Sequence, residues 1–270
     1  MSWKQIATLR AEAPAFIQRI AGVIGVAIAV LIWWLLTMGA TPETRFISPV
    51  LVPSPGEVLG GIPTLFTERA LVASVAATLQ RVFGGFLLAI VIGVPLGIIA
   101  GSYRIVDAFT KPLSVFARNI PVAVLIPLTI LWFGIDESQK VMFIFIATVP
   151  FVFADAVRAI ESVHDRFVET AQTLGATPRQ VVSKVLIALA MPDIFSSLRS
   201  LFGLAFGYIM LAELVNAEHG LGFLLMTSQR RGLTEHIFAI LFLIGLLAYG
   251  IDRALFWFQR GLFPYRMDND

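Results

Sequence analysis

The chain of 270 residues contains no cysteine, which excludes disulfides, thiolate metal sites and thiol redox chemistry without locating a compartment. Charge is scarce as well. Only 14% of the residues are Asp, Glu, Lys or Arg, against about 25% in an ordinary soluble domain, so much of the chain is kept from water. The three histidines, His164, His219 and His236, are scattered and lack the spacing of a metal site. No Ser-His-Asp, Cys-His or H-E-x-x-H arrangement occurs, nor a G-x-x-x-x-G-K-S/T loop for nucleotide phosphates. Catalysis, a bound metal and a cofactor in this chain are therefore not expected. A net charge of +2 without a basic run argues against a nucleic-acid partner.

What fills the chain instead is apolar sequence, 57% of residues, with a mean hydropathy of +0.84. A spanning helix needs about 20 such residues to cross roughly 30 Å of hydrocarbon. Six runs qualify, near residues 20–40, 75–101, 113–134, 140–160, 194–215 and 237–258, so the expected fold is an all-α integral membrane protein of about six transmembrane helices. The first run exceeds the ~7–15 residues of a signal core and reads as an anchor. Pro95, Pro121, Pro127 and Pro150 lie inside the runs, where neighbouring helices re-satisfy the freed carbonyls. Of the 20 basic residues, 12 fall on the side of the termini, five opposite (Arg45, Arg69, Lys140, Arg230 and Arg231) and three within spans (Arg81, Arg118 and Arg199). By the positive-inside rule both termini are cytoplasmic. The expected organisation is a cytoplasmic segment 1–19, a first helix 20–40, an extracytoplasmic connection 41–74, a core of five helices over 75–260 and a cytoplasmic tail 261–270.

Gly85, Ala89, Gly93, Gly97 and Gly101 recur every fourth residue. Such a ridge lets helix backbones approach closely in lipid, either inside one subunit or at a seam between two; the spacing leaves both open. Arg81, Arg118, Asp155, Asp193, Arg199 and Glu213 stand in or beside the spans, where ionisable groups are costly. Long side chains near span ends also snorkel to water, and Asp155 has the spacing to pair with Arg158. Arg118 and Glu213 are the preferred pathway or gate candidates. The connection 216–234, with Gly220, Gly222 and the apolar Phe223–Met226, reads as a short re-entrant or interfacial helix.

Residues 158–192 are too polar to span. Ile160, Val163, Phe167, Ala171 and Leu174 share one face of an amphipathic helix. Gly175 sits where a left-handed cap belongs. A second helix opens on Thr177 with Pro178 at its first position and Gln180 at capping-box spacing, and Pro192 marks the passage into the fifth span. The product is a helix, a small-residue elbow (Gly175-Ala176-Thr177) and a helix, protruding from the cytoplasmic side.

The run ETAQTLGATPRQVVSKVLIALAMP resembles the EAA loop of binding-protein-dependent ABC importers. Glu169, Ala171, Gly175, Leu189 and Pro192 match that pattern; Thr170 replaces its first Ala and Met191 the Leu before its Pro. FARNIPVAVLIPLTILWFGIDESQK, AELVNAEHGLGFLL and the C-terminal FAILFLIGLLAYGIDRALFWFQRGLFPYR are similar to the aliphatic-sulfonate, taurine and nitrate branch. The resemblance implies a permease subunit in a bacterial inner membrane. It implies a homodimer with the pathway between subunits, and an extracytoplasmic protein delivering substrate. A separate ATP-binding cassette subunit would hold ATP and Mg and receive the elbow residues Glu169, Thr170, Ala171, Leu174, Gly175, Ala176, Thr177, Pro178 and Pro192. The rival reading, a motor-free secondary transporter or channel, would require a paired ion site at mid-membrane and no docking elbow.

Overall fold

A computed structural model describes residues 14–39, 44–215 and 217–264. Lys4, Arg10, Arg266, Asn216 and most of the expected terminal segments lie outside the described residues. Every regular element among those described is helical. Five helices are long and apolar enough to cross a membrane, and a bent pair makes a sixth.

The described residues up to Glu68, with Ser228–Ala239, form one compact unit. Its first helix, α1 (Ala15–Leu36), spans about 33 Å at 1.5 Å per residue, and none of its apolar window is buried, as a lipid-facing helix requires. Trp33 anchors it, donating from Nε1 to the Pro53 carbonyl at 2.9 Å and stacking on Phe238 with centroids 6.3 Å apart. The stretch expected only as a connection contains a helix, α2 (Pro55–Glu68). Ser54 caps it: the Ser54 amide donates to Glu57 Oε2 at 2.7 Å, and the Glu57 amide donates back to Ser54 Oγ at 3.3 Å. That reciprocal box, with Pro55 in the first turn, is a helix start written in the sequence. Arg45 pairs with Glu57 at 2.9 Å, and this bond draws the carboxyl down to about 2.

The second unit comprises Arg69–Thr227 and the residues from Ile240 onward. Its centre is the pair α3 (Leu71–Ser102) and, further along, α6 (Glu137–Glu161). The ridge of small residues resolves here: it packs within the chain. A methyl group placed on Gly85 would lie 2.5 Å from the Val141 carbonyl; on Gly97, 2.6 Å from both the Phe153 carbonyl and Ala156 Cβ; on Gly101, 2.9 Å from the Val157 carbonyl and Ile160 Cβ. Only hydrogen side chains permit this approach, and dispersion between the close backbones replaces the hydrophobic drive that lipid removes. Phe86, on a neighbouring face, meets Phe202 edge-on at 5.5 Å.

The expected third span, 113–134, is broken. Helix α4 (Arg104–Asn119) ends at Ile120, which is extended at φ −70° and ψ 125°. A 3-10 turn (Val122–Val124) and α5 (Leu125–Phe133) follow at 86° to α4. Proline disfavours helical backbone in the residue before it, and Ile120 before Pro121 is where the bend falls. The amphipathic helix expected from Ile160 to Leu174 is also two pieces. Helix α6 stops at Glu161, with Ser162 Oγ bonded to the Ala159 carbonyl at 2.8 Å, a local bond that competes with helix continuation; α7 (Asp165–Thr173) then starts afresh.

Pro192, expected as a boundary, lies inside one continuous helix. That helix, α8 (Pro178–Glu213), contains a π segment at Val181–Leu186. Helix α9 (Leu221–Arg230) occupies the connection read as re-entrant or interfacial, and α10 (Thr234–Leu262) closes the chain. The pair Arg199–Asp252 at 2.6 Å and the Gln259–Ser196 bond at 2.6 Å tie α10 to α8.

Candidate functional site

The elbow is built as its sequence requires. At the end of α7, Gly175 takes φ +81°. Its amide donates to the Gln172 carbonyl at 2.9 Å, and the Ala176 amide donates to the Ala171 carbonyl at 3.0 Å. This pair of bonds is a Schellman closure, which needs a left-handed residue at that point. Thr177 and Gln180 then form the capping box of α8, with the Thr177 amide bonded to Gln180 Oε1 at 2.8 Å. The amides of Gly175, Ala176 and Thr177 are thus satisfied within the turn. What remains outward is Leu174, 83% exposed. Glu169, Thr170, Thr177 and Pro178 are exposed and Ala171 and Ala176 half-buried. A Cβ on Gly175 would meet nothing within 4 Å, so the glycine serves the backbone conformation here, and any close approach must come from another molecule. Pro192, by contrast, is buried within α8 and is not part of the outward face.

Glu213 belongs to a different place. It is 1% exposed at the far end of α8. Its carboxylate accepts bonds from Thr78 Oγ1 at 2.8 and 3.0 Å, from the Gly222 amide at 2.9 Å and from Arg81 Nη1 at 2.7 Å. Arg81 also donates to the His219 carbonyl at 2.7 Å and, through Nε and Nη2, to both oxygens of Glu137 at 2.5 Å. One guanidinium therefore fastens α3, the start of α6, the end of α8 and the loop leading to α9. Gly220 and Gly222 allow that loop to lie on the carboxylate: a Cβ at Gly220 would fall 2.5 Å from Glu213 Oε2. Beside it Lys140, 2% exposed, donates to the Ile135 and Asp136 carbonyls at 3.3 and 3.4 Å and holds the turn before α6. Lys140, which opens the expected fourth span, lies in the first turn of α6, at the end the clasp grips. Arg81 neither snorkels nor lines an opening; it is a buried clasp.

Arg118 is not brought to Glu213. It lines a cavity of about 240 Å³ between α4 and the Phe153–Glu161 end of α6, whereas the clasp grips α6 at Glu137. The 16 residues from Glu137 to Phe153 put roughly 24 Å between the two levels. Asp155 and Arg158 pair with each other, as their spacing implied.

The fold defines a polytopic helical membrane protein with an exposed, tightly turned elbow. Residues 93–264 match the model of the family described as the binding-protein-dependent transport system inner membrane component, and the chain belongs to that family: it is the membrane-spanning permease subunit of an ATP-driven importer. The taurine transport system permease protein of Escherichia coli is 30% identical over 88% of this chain and 87% of its own length. The putative aliphatic sulfonates transport permease protein of Bacillus subtilis is 26% identical over 82% and 80%. A bicarbonate transport system permease protein of Synechocystis is 25% identical over 73% and 71%. Among solved structures, an inward-facing form of the MetNI methionine ABC transporter is similar with a TM-score of 0.64 and 25% identity, over 74% of this chain and 97% of that one.

Proposed function

We propose that two copies of the chain form a pathway for a small solute with an anionic group (a sulfonate, zwitterionic taurine, nitrate or bicarbonate), driven by ATP-binding cassette subunits that receive the elbows. The observation that carries this reading is the uncovered Leu174 at a turn whose own hydrogen bonds are closed. A rigid apolar knob in water is stabilised by a partner's cleft. ATP and Mg belong to that partner. The basic residues place the elbow and both termini in the cytoplasm of a bacterial inner membrane, with the clasp on the opposite side, where a binding protein delivers substrate. Taurine, sulfonate and bicarbonate are drawn from the names of the relatives, and nitrate from the sequence resemblance.

Helix α8 runs unbroken from the elbow to the clasp over 36 residues, about 54 Å. Displacement of the elbow by closure of the ATPase pair therefore moves the whole rod, and a rigid-body shift at one end opens or shuts the other. Co-purification of the ATPase and its coupling to transport, compared between wild type and Gly175→Arg, tests the reading. Loss of the ATPase or of coupled transport in the variant is expected. Transport that persists in the variant, with no ATPase bound to wild type, would mean a motor-free transporter instead.

A further inference from the structure

We infer that the cavity between α4 and α6 is an intramembrane station for the anionic head of a small sulfonate or carboxylate, held by Arg118 and Ser114; this deepens the permease reading and rests on it. The sequence places three arginines, Arg81, Arg118 and Arg199, inside the expected spans. Arg81 and Arg199 are each matched by a carboxylate at 2.5–2.7 Å. For Arg118 the described residues supply no carboxylate, only a carbonyl of its own helix, that of Ser114, 3.4 Å from Nε. Its terminal nitrogens carry donors that the fold leaves unused. A charge at such depth faces a water-filled cavity or a counter-ion, and here it lines a cavity of about 240 Å³.

A second observation points the same way. Ser114, one turn earlier on α4 and lining the same cavity, is 9% exposed, and its buried Oγ has no hydrogen-bond partner among the described residues. Buried hydroxyls are nearly always bonded, so an orphan hydroxyl beside an unmatched guanidinium reads as the second donor of a site for an anion. The walls, Phe153 and Val157, suit a short apolar body. The acidic lining groups, Asp107 and Glu161, stand at the other end of the groove. Asp107 is 11 residues from Arg118 along α4, about 16 Å, and is accompanied by Lys111 at 3.9 Å. An anion therefore settles at the Arg118 end and is repelled from the acidic one.

The test is equilibrium binding of radiolabelled methanesulfonate to the assembled, nucleotide-free transporter in nanodiscs, without binding protein. Saturable binding is expected, competed by acetate but not by neutral methanesulfonamide. Arg118→Gln should weaken it tenfold or more, with partial retention in Arg118→Lys. Ser114→Ala should weaken it about three- to tenfold, the worth of one hydrogen bond. Ala154→Leu, which fills the cavity and keeps the arginine, should weaken it tenfold even if Arg118→Gln fails to assemble. Equal binding by wild type and these variants, or equal competition by the neutral analogue, would overturn the site. If wild type hydrolyses ATP and transports while its methanesulfonate binding ignores Arg118, the station alone fails; if no ATPase associates with wild type, the permease reading fails first.

Discussion

Removal of Arg81 is the most severe single change that the clasp admits. In Arg81→Met, Glu213 keeps the Thr78 hydroxyl and the Gly222 amide but loses the one cation within ion-pair distance among the described residues, at 1% exposure. Breaking a buried pair from one side costs about 3–5 kcal/mol, because the charge left behind is uncompensated. Glu213→Gln is milder, about 1–3 kcal/mol. The amide oxygen can still accept from Thr78 and Gly222, and Arg81 retains Glu137 at two nitrogens. The double variant should fall short of the sum of the singles by about 1–3 kcal/mol, the coupling expected of contacting residues. Reversible unfolding by SDS titration in mixed micelles, followed by tryptophan fluorescence, measures all three. Single costs below 1 kcal/mol, or strictly additive costs, would show that the guanidinium does not fasten these helix ends.

Three further outcomes follow from the packing. Gly97→Leu should destabilise the permease by about 1–3 kcal/mol or more through overpacking, since even its Cβ falls 2.6 Å from the Phe153 carbonyl. Gly203→Leu, where a Cβ meets nothing within 4 Å, should leave the unfolding midpoint unchanged. Leu174→Asp should abolish ATPase co-purification with no change in that midpoint; a retained complex would remove the knob from the docking account. Glu57, whose carboxyl is drawn to about 2 from 4.5 by Arg45, stabilises the folded state fully above pH 4.5, and its share is lost as pH falls through about 2. At 39% exposure solvent screening limits this to about 1 kcal/mol or less. Glu57→Gln should therefore flatten the acid limb of the stability profile below pH 4.5, and an unchanged limb would count against the pair.

The spans and the elbow were legible because their signals are local. Hydropathy over 20 residues marks a span whatever it packs against, and Gly175, Thr177, Pro178 and Gln180 specify their turn within six positions. The clasp was not legible. Arg81 and Glu213 are 132 residues apart and Arg81 and Glu137 are 56 apart, and a sequence shows costly charges singly without showing which ones meet. The glycine ridge carried its partner no more clearly: the spacing demanded a close neighbour, and only the fold names α6. Two prolines misled in opposite directions: Pro192, expected as a boundary, remains inside a helix, and Pro121, expected inside a span, breaks one, whereas Pro95 and Pro150 lie inside helices as expected. The capping box at Ser54 is itself a local signal, Ser54-Pro55-x-Glu57, but the helix it opens is too short and too polar to stand out by hydropathy.

The π segment at Val181–Leu186 offers a sharper test of the rod between elbow and clasp. A π turn arises where a helix accommodates one extra residue, and such turns concentrate at functional sites. Deleting Ala188, which is exposed and lies in the regular α turns just beyond that segment, should keep the π turn while rotating the elbow by about 100° relative to the rest of α8, the angle of one residue in a 3.6-fold helix. The clasp at Glu213 and the α3–α6 seam lie beyond the deletion and should be unaffected, so expression and the SDS midpoint should stay near wild type. The elbow would still be closed by its own hydrogen bonds, and Leu174 would still be exposed, but aimed elsewhere. ATPase association or ATP-coupled uptake in proteoliposomes should therefore be lost although every contact named for the spans persists. Uptake at the wild-type rate would show that force does not pass from the elbow along α8 as a rigid body, and a hinge in the first two turns of the helix would have to absorb it.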